Sequence, residues 1–129
     1  MTTLHLLFNH SLTSEQEQEA RGRFGVDQIN PPPAEILRLW RALPPGADTL
    51  RPILEPVFSW LAAAVRPSDL ILVQGEPGAC LLVVEEARHQ GIIPIYATTS
   101  RRAKEQRFDD GFIRLTHMVQ HVRFREYGK

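Results

Sequence analysis

Three short segments of this chain carry most of its potential chemistry, and each follows an apolar run. Residues 9–11 contain a histidine, residues 74–78 contain two glycines and a carboxylate, and residues 98–102 contain two arginines. In a parallel sheet the carboxyl ends of the strands lie on one rim, where ligands bind. The sequence therefore predicts that the three segments are loops that converge on a single site.

The middle segment follows Leu70–Val73, which is apolar at every position and typical of a strand covered on both faces. Gly75 and Gly78 allow a sharp turn and a close approach of the backbone to another group. A helix that begins after Gly78 would aim its free N–H groups at that turn, which predicts an anion site. The carboxylate of Glu76 would repel a phosphate, so we expect it to pair with an arginine or to accept a bond from a ribose hydroxyl.

The last segment offers donors to phosphate. Arg101 and Arg102 carry permanent charge and planar donor groups, and Gln74 can read a base edge or a ribose hydroxyl. The alternative is that the two arginines only begin a solvated hairpin; their position after a buried strand favours the functional interpretation. Further hydroxyl donors follow the same strand at Thr98, Thr99 and Ser100.

His10 lies at the end of the first apolar run, where a histidine can serve as a general acid or base near neutral pH. The alternative is that it closes the strand by hydrogen bonding. The remaining histidines show no metal-ligand spacing, so no metal site and no cofactor are predicted. The glycine pattern is neither a complete dinucleotide fingerprint nor a P-loop, and no nucleophile elbow is present. Cys80 is interpreted as a small core residue.

Composition limits the class of protein. The 129 residues suffice for one domain and one core, with an α/β part over 1–100 and a β extension over 101–129. Fifteen basic and fifteen acidic residues cancel, so no overall field points to duplex nucleic acid or to a membrane. A single cysteine is typical of a reducing cytoplasm, and no apolar run approaches membrane-spanning length.

Strands and helices alternate up to residue 97. Apolar runs at 4–8, 24–29, 70–73 and 92–97 predict strands, the second short and near an edge. Helices are expected from the capping box at Thr13 to about residue 21, over 34–43, over 50–65 and from Gly78 to about residue 90. Thr49 or Asp48 would cap the third helix, and Pro56 would kink it or delay its start.

The chain beyond residue 101 loses its helical pattern. Asp109-Asp110-Gly111 is a hairpin-type turn that would join a strand near 102–108 to one near 112–118. Residues 119–124 would continue that strand or add another. The predicted fold is therefore a Rossmann-like, mostly parallel sheet flanked by helices, with a C-terminal antiparallel β-hairpin extension.

Four stretches in this order and spacing resemble a known family. They are Leu-Phe-Asn-His-Ser-Leu-Thr-x-x-Gln from Leu7 to Gln16, Gln-Gly-Glu-Pro-Gly-Ala from Gln74 to Ala79, the run from Pro94 to Arg101, and the run from His121 to Tyr127. The chain resembles a small CRISPR-associated family of type III systems counted among the ring nucleases, whose Rossmann-like fold is related to CARF sensor domains. The family pattern has an aspartate where this chain has Glu76.

The resemblance implies degradation of cyclic oligoadenylate, first of all cyclic tetra-adenylate, and so an end to type III antiviral signalling. It implies a homodimer with the ring across the two-fold axis and metal-independent attack of a ribose 2′-hydroxyl, leaving a 2′,3′-cyclic phosphate. Arg101 would stabilise the transition state, and His10 or Ser11 would assist proton transfer or position the ribose. The implied binding residues are Asn9, Gln74, Gly75, Glu76, Gly78, Ala79, Thr98, Thr99, Ser100 and Arg102.

Two other functions stay open. The same loops suit a non-catalytic sensor or sponge that sequesters the messenger, and a small α/β protein that binds a mononucleotide or serves as an assembly partner. The dimer surface is equally open, between the helix at 50–65 and the C-terminal strands with Phe108, Phe112 and Phe124.

Overall fold

The computed structural model describes all residues, 1–129, and contains one five-stranded sheet in the order β2-β1-β3-β4-β5. The elements in chain order are β1 (Thr3–Leu7), α1 (Ser14–Arg23), β2 (Gln28–Asn30), α2 (Ala34–Arg41), α3 (Glu55–Ala64), β3 (Leu70–Val73), α4 (Pro77–His89), β4 (Ile93–Arg107) and β5 (Ile113–Glu126).

The strand order reverses at β1. The chain goes from β1 outward to β2 and then returns to place β3 on the other side of β1, so β1 and β3 flank the switch point. Strands β1 to β4 are parallel, and β5 pairs antiparallel with β4. The predicted fold class is confirmed: a mostly parallel sheet flanked by helices ends in an antiparallel hairpin.

Each face of the sheet has its own apolar core. On one face, Val57 and Leu61 of α3 and Val83 of α4 pack with Trp40 of α2. On the other face, α1 contributes Ala20, which packs with residues of β1, β3 and β4. The completely apolar run at Leu70–Val73 is explained, since all four residues are buried between these two layers.

Several boundaries differ from the sequence prediction. Helix α3 begins at Glu55 rather than near residue 50, because Pro56 has no N–H and fits only the first turn of a helix. The prediction that Pro56 delays the start is confirmed, whereas the predicted cap at Thr49 or Asp48 is wrong: Leu54 is the N-cap and no side chain caps it. The capping box at Thr13 is confirmed, with Gln16 as its partner.

The segment 98–102 is not a loop, so that part of the prediction is wrong. Strand β4 continues through it to Arg107, because β5 pairs with it along its whole length from Ile95↔Glu126 to Arg107↔Ile113. A single β-bulge lies between Thr98 and Thr99. We call residues 98–107 and 113–123 the ribbon; the turn at its tip includes Gly111, which has a φ of 90°.

The ribbon is joined to the body at its base by Glu19 of α1. The Glu19 carboxylate accepts bonds from His121 Nε2 at 2.6 Å and from the Phe124 N–H at 2.9 Å. Arg23 donates to the same carboxylate at 2.6 Å. Burial alone would raise the pKa of Glu19, but these bonds outweigh it and hold the pKa below 4.5. Beyond this base, every residue from 101 to 120 is exposed.

His5 has a structural environment. It is buried in β1, where its Nε2 lies 3.1 Å from Asp69 Oδ2, and Asp69 also accepts bonds from the Thr3 and Arg66 N–H groups. No helix of the structure has the length and apolar content needed to cross a membrane.

Candidate functional site at the switch point

Two of the three predicted segments meet at the switch point. A cavity of about 180 Å³ lies between Phe8, Asn9 and His10 after β1 and Gln74 and Gly75 after β3. The parallel pairing of Leu7 with Val73 brings these two strand ends side by side. The cavity is therefore a direct consequence of the reversal in strand order.

Gln74 connects this cavity to the next strand. Its side-chain Oε1 accepts a bond from the Ala97 N–H at 2.9 Å, and its backbone carbonyl accepts one from Trp40 Nε1 at 2.8 Å. The bond from Ala97 fixes the orientation of the side-chain amide, and the bond from Trp40 fixes the backbone at the same residue. The Nε2 group of the same amide is left to donate to a ligand.

Packing within the chain requires a glycine at position 75. A Cβ at this position would lie 2.7 Å from Trp40 Nε1, which is too close unless the indole moves, and 3.0 Å from Trp40 Cε2, which is also tight. The backbone does approach another group closely here, as expected, but that group is the indole of α2. The sequence placed Trp40 on the buried face of its helix without indicating this contact.

The expected anion site at the start of α4 is already satisfied by the chain. Glu76 is the N-cap of α4, and its carboxylate accepts bonds from the Gly78 N–H at 2.8 Å and the Ala79 N–H at 3.0 Å. These donors belong to the turn that was expected to cradle phosphate. Glu76 thus pairs with its own helix rather than with an arginine, and a phosphate would have to displace it.

A larger, mostly apolar pocket of about 490 Å³ opens on the other side of Gln74. Tyr96 and Tyr127 form one wall, with ring centroids 4.7 Å apart. The Tyr127 hydroxyl donates to the Val73 carbonyl at 2.6 Å, and burial, followed by the neighbouring Cys80, raises the pKa of Tyr127 to about 12. A pair of aromatic rings beside a polar strand end is suited to a nucleobase.

Cys80 lines the same pocket but has the properties of a core residue. It is buried, and burial raises the pKa of its thiol above 9.0. The thiol is protonated at neutral pH and is a poor nucleophile.

His10 also borders a third cavity, of about 300 Å³, between α1 and α2, and Ser11 lines this cavity but not the one at the switch point. Arg41, at the end of α2, lines that cavity and donates from Nη2 to the Asn9 carbonyl at 3.2 Å. Arg41 is a cation next to the predicted catalytic loop that sequence reasoning did not identify. The sequence around Arg41 does not indicate this role, because only the fold brings the end of α2 beside the end of β1.

The structure does not bring Arg101 or Arg102 into the switch-point cavity of their own chain. Both are exposed in the ribbon, and Arg101 lies four residues beyond Ala97, which is ~13 Å along a strand. The two side chains are also on opposite faces, because adjacent residues of a strand alternate. The side chains of Thr99 and Ser100 also lie on opposite faces of the strand. The Thr98 hydroxyl is already bonded, since it donates to the Arg123 carbonyl at 2.9 Å.

The site therefore combines a permanent cleft with distant cations. No group of three or more His, Cys, Asp or Glu residues is arranged to hold a metal ion. Of the predicted binding and catalytic residues, Asn9, His10, Gln74 and Gly75 line the switch-point cavity. Ser11 lines only the cavity between α1 and α2, and Glu76, Gly78 and Ala79 form the start of α4. The predicted site residues from Thr98 to Arg102 lie in the ribbon.

Fold and site together define a small doubly wound α/β protein with a cavity of about 180 Å³ at its switch point and a pocket of about 490 Å³ beside it. The chain belongs to the family described as the uncharacterized protein MJ1673 family, whose pattern matches residues 2–125. It is similar to the uncharacterized protein MJ1673 of Methanocaldococcus jannaschii, with 38% identity over 128 residues, covering 99% of this chain and 98% of the relative. No solved structure matches the chain.

Proposed function

We propose that this protein is a CRISPR-associated ring nuclease that binds and cleaves cyclic oligoadenylate, and that it thereby switches off type III antiviral signalling in the cytoplasm. The observation that carries the proposal is the switch-point cleft, where His10 and Gln74 face one cavity beside the Tyr96–Tyr127 pocket. A proton-transfer group, an oriented amide and a pair of aromatic rings are suited to the ribose and base of an adenylate unit.

The proposed reaction needs no cofactor. A ribose 2′-hydroxyl loses its proton and attacks the adjacent phosphorus, and the bond to the 5′-oxygen breaks as that oxygen takes a proton. The product is a linear oligoadenylate with a 2′,3′-cyclic phosphate. His10 is suited to one of the two proton transfers, Ser11 to positioning the ribose, and Gln74 to holding the base or ribose in line.

The negative charge that develops on the phosphate requires a cation, and the geometry of one chain does not supply Arg101. We therefore assign Arg101 to the cleft of a second copy, in a homodimer with the ring across its two-fold axis. The apolar face of the ribbon supports such a dimer. Ile113, Leu115 and Val119 lie on the same face as Arg101, and each is more than half exposed.

The experiment incubates purified wild-type protein with cyclic tetra- and hexa-adenylate in the presence of a chelator and separates the products. We expect linear products that end in a 2′,3′-cyclic phosphate, and we expect an Arg101→Ala variant to lose turnover by about 10²-fold or more. An intact ring after complete binding would reject the ring nuclease.

The second candidate is a non-catalytic sensor or sponge. One observation favours it: His10 is the sole ionisable residue among the five that line the switch-point cavity, so a single copy can bind a ring there without stabilising its cleavage. Tight binding at a hundredfold excess over Kd adds roughly 2.7 kcal/mol of stability. A raised Tm with an intact ring would establish the sponge, and no shift in Tm with either ring would reject both candidates.

A further inference from the structure

The two faces of the ribbon differ in charge. Cross-strand partners lie on the same face of a sheet, so the register of β4 with β5 assigns each residue to a face. The face that continues from Tyr96 carries Arg102, Lys104, Arg114, Arg123 and Arg125 and no carboxylate. The opposite face holds Glu105 together with the exposed apolar side chains described above.

These five cations have no partner in the chain. None of them lies within 4.0 Å of a carboxylate, whereas Arg23, Arg107 and Lys129 each do. All five are exposed. The protein has no net charge, so this stripe is a local concentration of positive charge.

The stripe begins at an aromatic pocket. Tyr96 is its first residue and pairs across the strands with Arg125, and Tyr96 and Tyr127 line the pocket beside Gln74. From Tyr96 to Gln106 the stripe is ~33 Å long. Its other residues are mostly polar and uncharged, and serine, threonine and glutamine all offer donors to an anion.

We propose that this basic face of the ribbon binds linear single-stranded RNA, with the RNA backbone along the cations and a terminal base against Tyr96. Positive charge in a line with aromatic rings at one end is how proteins hold single strands without reading sequence. An acidic protein would satisfy the cations but would give the rings no partner. The proposal does not depend on ring cleavage.

The test measures fluorescence anisotropy of a fluorescein-labelled 12-nucleotide single-stranded RNA of mixed sequence between 50 and 200 mM salt. Five phosphate contacts predict a slope of about −3.5 in log Kobs against log salt, which is roughly a hundredfold loss of affinity over this range. Affinity that does not change with salt would overturn the proposal, as would a duplex of equal length or a polyglutamate that binds more tightly.

Two neighbouring arginines provide matched variants. Arg114 lies on the basic face and Arg107 on the other, one row apart near the tip, and both are exposed. We expect Arg114→Ala to weaken binding and to reduce the salt slope by about 0.7, and Arg107→Ala to change neither. Equal effects would show that net charge alone is responsible and would overturn the assignment to one face.

Two further measurements complete the test, and the second separates this inference from the proposed function. Tyr96→Leu should weaken RNA binding about tenfold through lost stacking, and an unchanged affinity would reject a base at this site. Arg114→Ala should retain cleavage of cyclic tetra-adenylate while it loses RNA affinity. RNA binding without any ring cleavage in the wild type would reject the ring nuclease and leave this inference standing.

Discussion

The body and the ribbon of this protein build their surfaces in different ways. In the body, Gln74 in the switch-point cleft is already bonded to Trp40 and Ala97, and Glu76 beside the cleft is bonded to the start of α4. In the ribbon and the turn at its tip, the side chains from 101 to 120 are exposed, and the five cations of the stripe that runs along it have no partners. The comparison indicates that the body has fixed geometry, whereas the ribbon exposes charge that its own chain does not neutralise.

The largest effect is expected in the body, at His10. His10→Ala should reduce ring cleavage by about 10²- to 10⁴-fold, because it removes a positioned proton-transfer group. The measurement is the single-turnover rate with cyclic tetra-adenylate. His89→Ala, which changes an exposed histidine at the end of α4, serves as the control and should keep the wild-type rate. A His10→Ala rate within threefold of wild type would remove His10 from the chemistry.

The rigidity of the cleft is tested next, at Gly75. Gly75→Ala should destabilise the protein by about 1–3 kcal/mol, because the new Cβ would meet the Trp40 indole at 2.7 Å. Gly22→Ala is the matched control: nothing lies within 4 Å of its Cβ position, and an alanine inside α1 should stabilise by about 0.8 kcal/mol. Urea unfolding measures both. Equal stability of the two variants would contradict the contact.

The joint between body and ribbon is tested through pH. The pKa of Glu19 is lowered in the folded protein, so its contribution to stability is present above about pH 4.5 and is lost as the pH falls through the folded value. Glu19→Gln should cost about 1–2 kcal/mol at pH 7, and this difference should shrink below pH 4.

The matched control for Glu19 is Glu15→Gln, an exposed change in the first turn of the same helix. Its stability should follow that of the wild type throughout the acid range. A Glu19→Gln curve that stays parallel to the wild-type curve down to pH 3 would show that the carboxylate does not anchor the ribbon through its charge.

The smallest effect is expected at Glu76. Glu76→Gln keeps one acceptor for the α4 N–H groups but removes a negative charge, so it should cost about 0.5–1 kcal/mol of stability. Binding of cyclic tetra-adenylate should become severalfold tighter. Glu55→Gln, in the first turn of α3, should leave ring binding unchanged. Weaker binding by Glu76→Gln would show that this carboxylate contacts the ligand directly.

Most of the sheet was predictable, because apolar runs such as Leu70–Val73 and the alternation of strands with helices report burial directly. The capping box at Thr13 and the effect of Pro56 were readable for the same reason: each acts on backbone bonds within one turn. The end of β4 could not be predicted from the local sequence. Thr98–Arg102 has the polar composition of a loop, and only pairing with residues 16 to 25 positions later makes it a strand.

The candidate site was predictable in part. Strand ends can be located from sequence, so Asn9, His10 and Gln74 were found. Three other features depend on contacts between distant parts of the chain: Trp40 against Gly75, Arg41 beside Asn9, and Tyr96 packed against Tyr127. The bonds from Glu76 to the first turn of α4 are local. Pro77 is typical of the first position of a helix, so the sequence did contain a signal that Glu76 is the N-cap.

The most direct measurement of the division between body and ribbon is a complementation assay with His10→Ala and Arg101→Ala chains. Each variant alone should leave cyclic tetra-adenylate intact. If the body of one copy and the ribbon of another form the site, the co-expressed chains should recover a substantial fraction of wild-type cleavage, because one cleft in each mixed dimer is complete. Activity no greater than that of the separate variants, with mixed dimers present, would contradict this account.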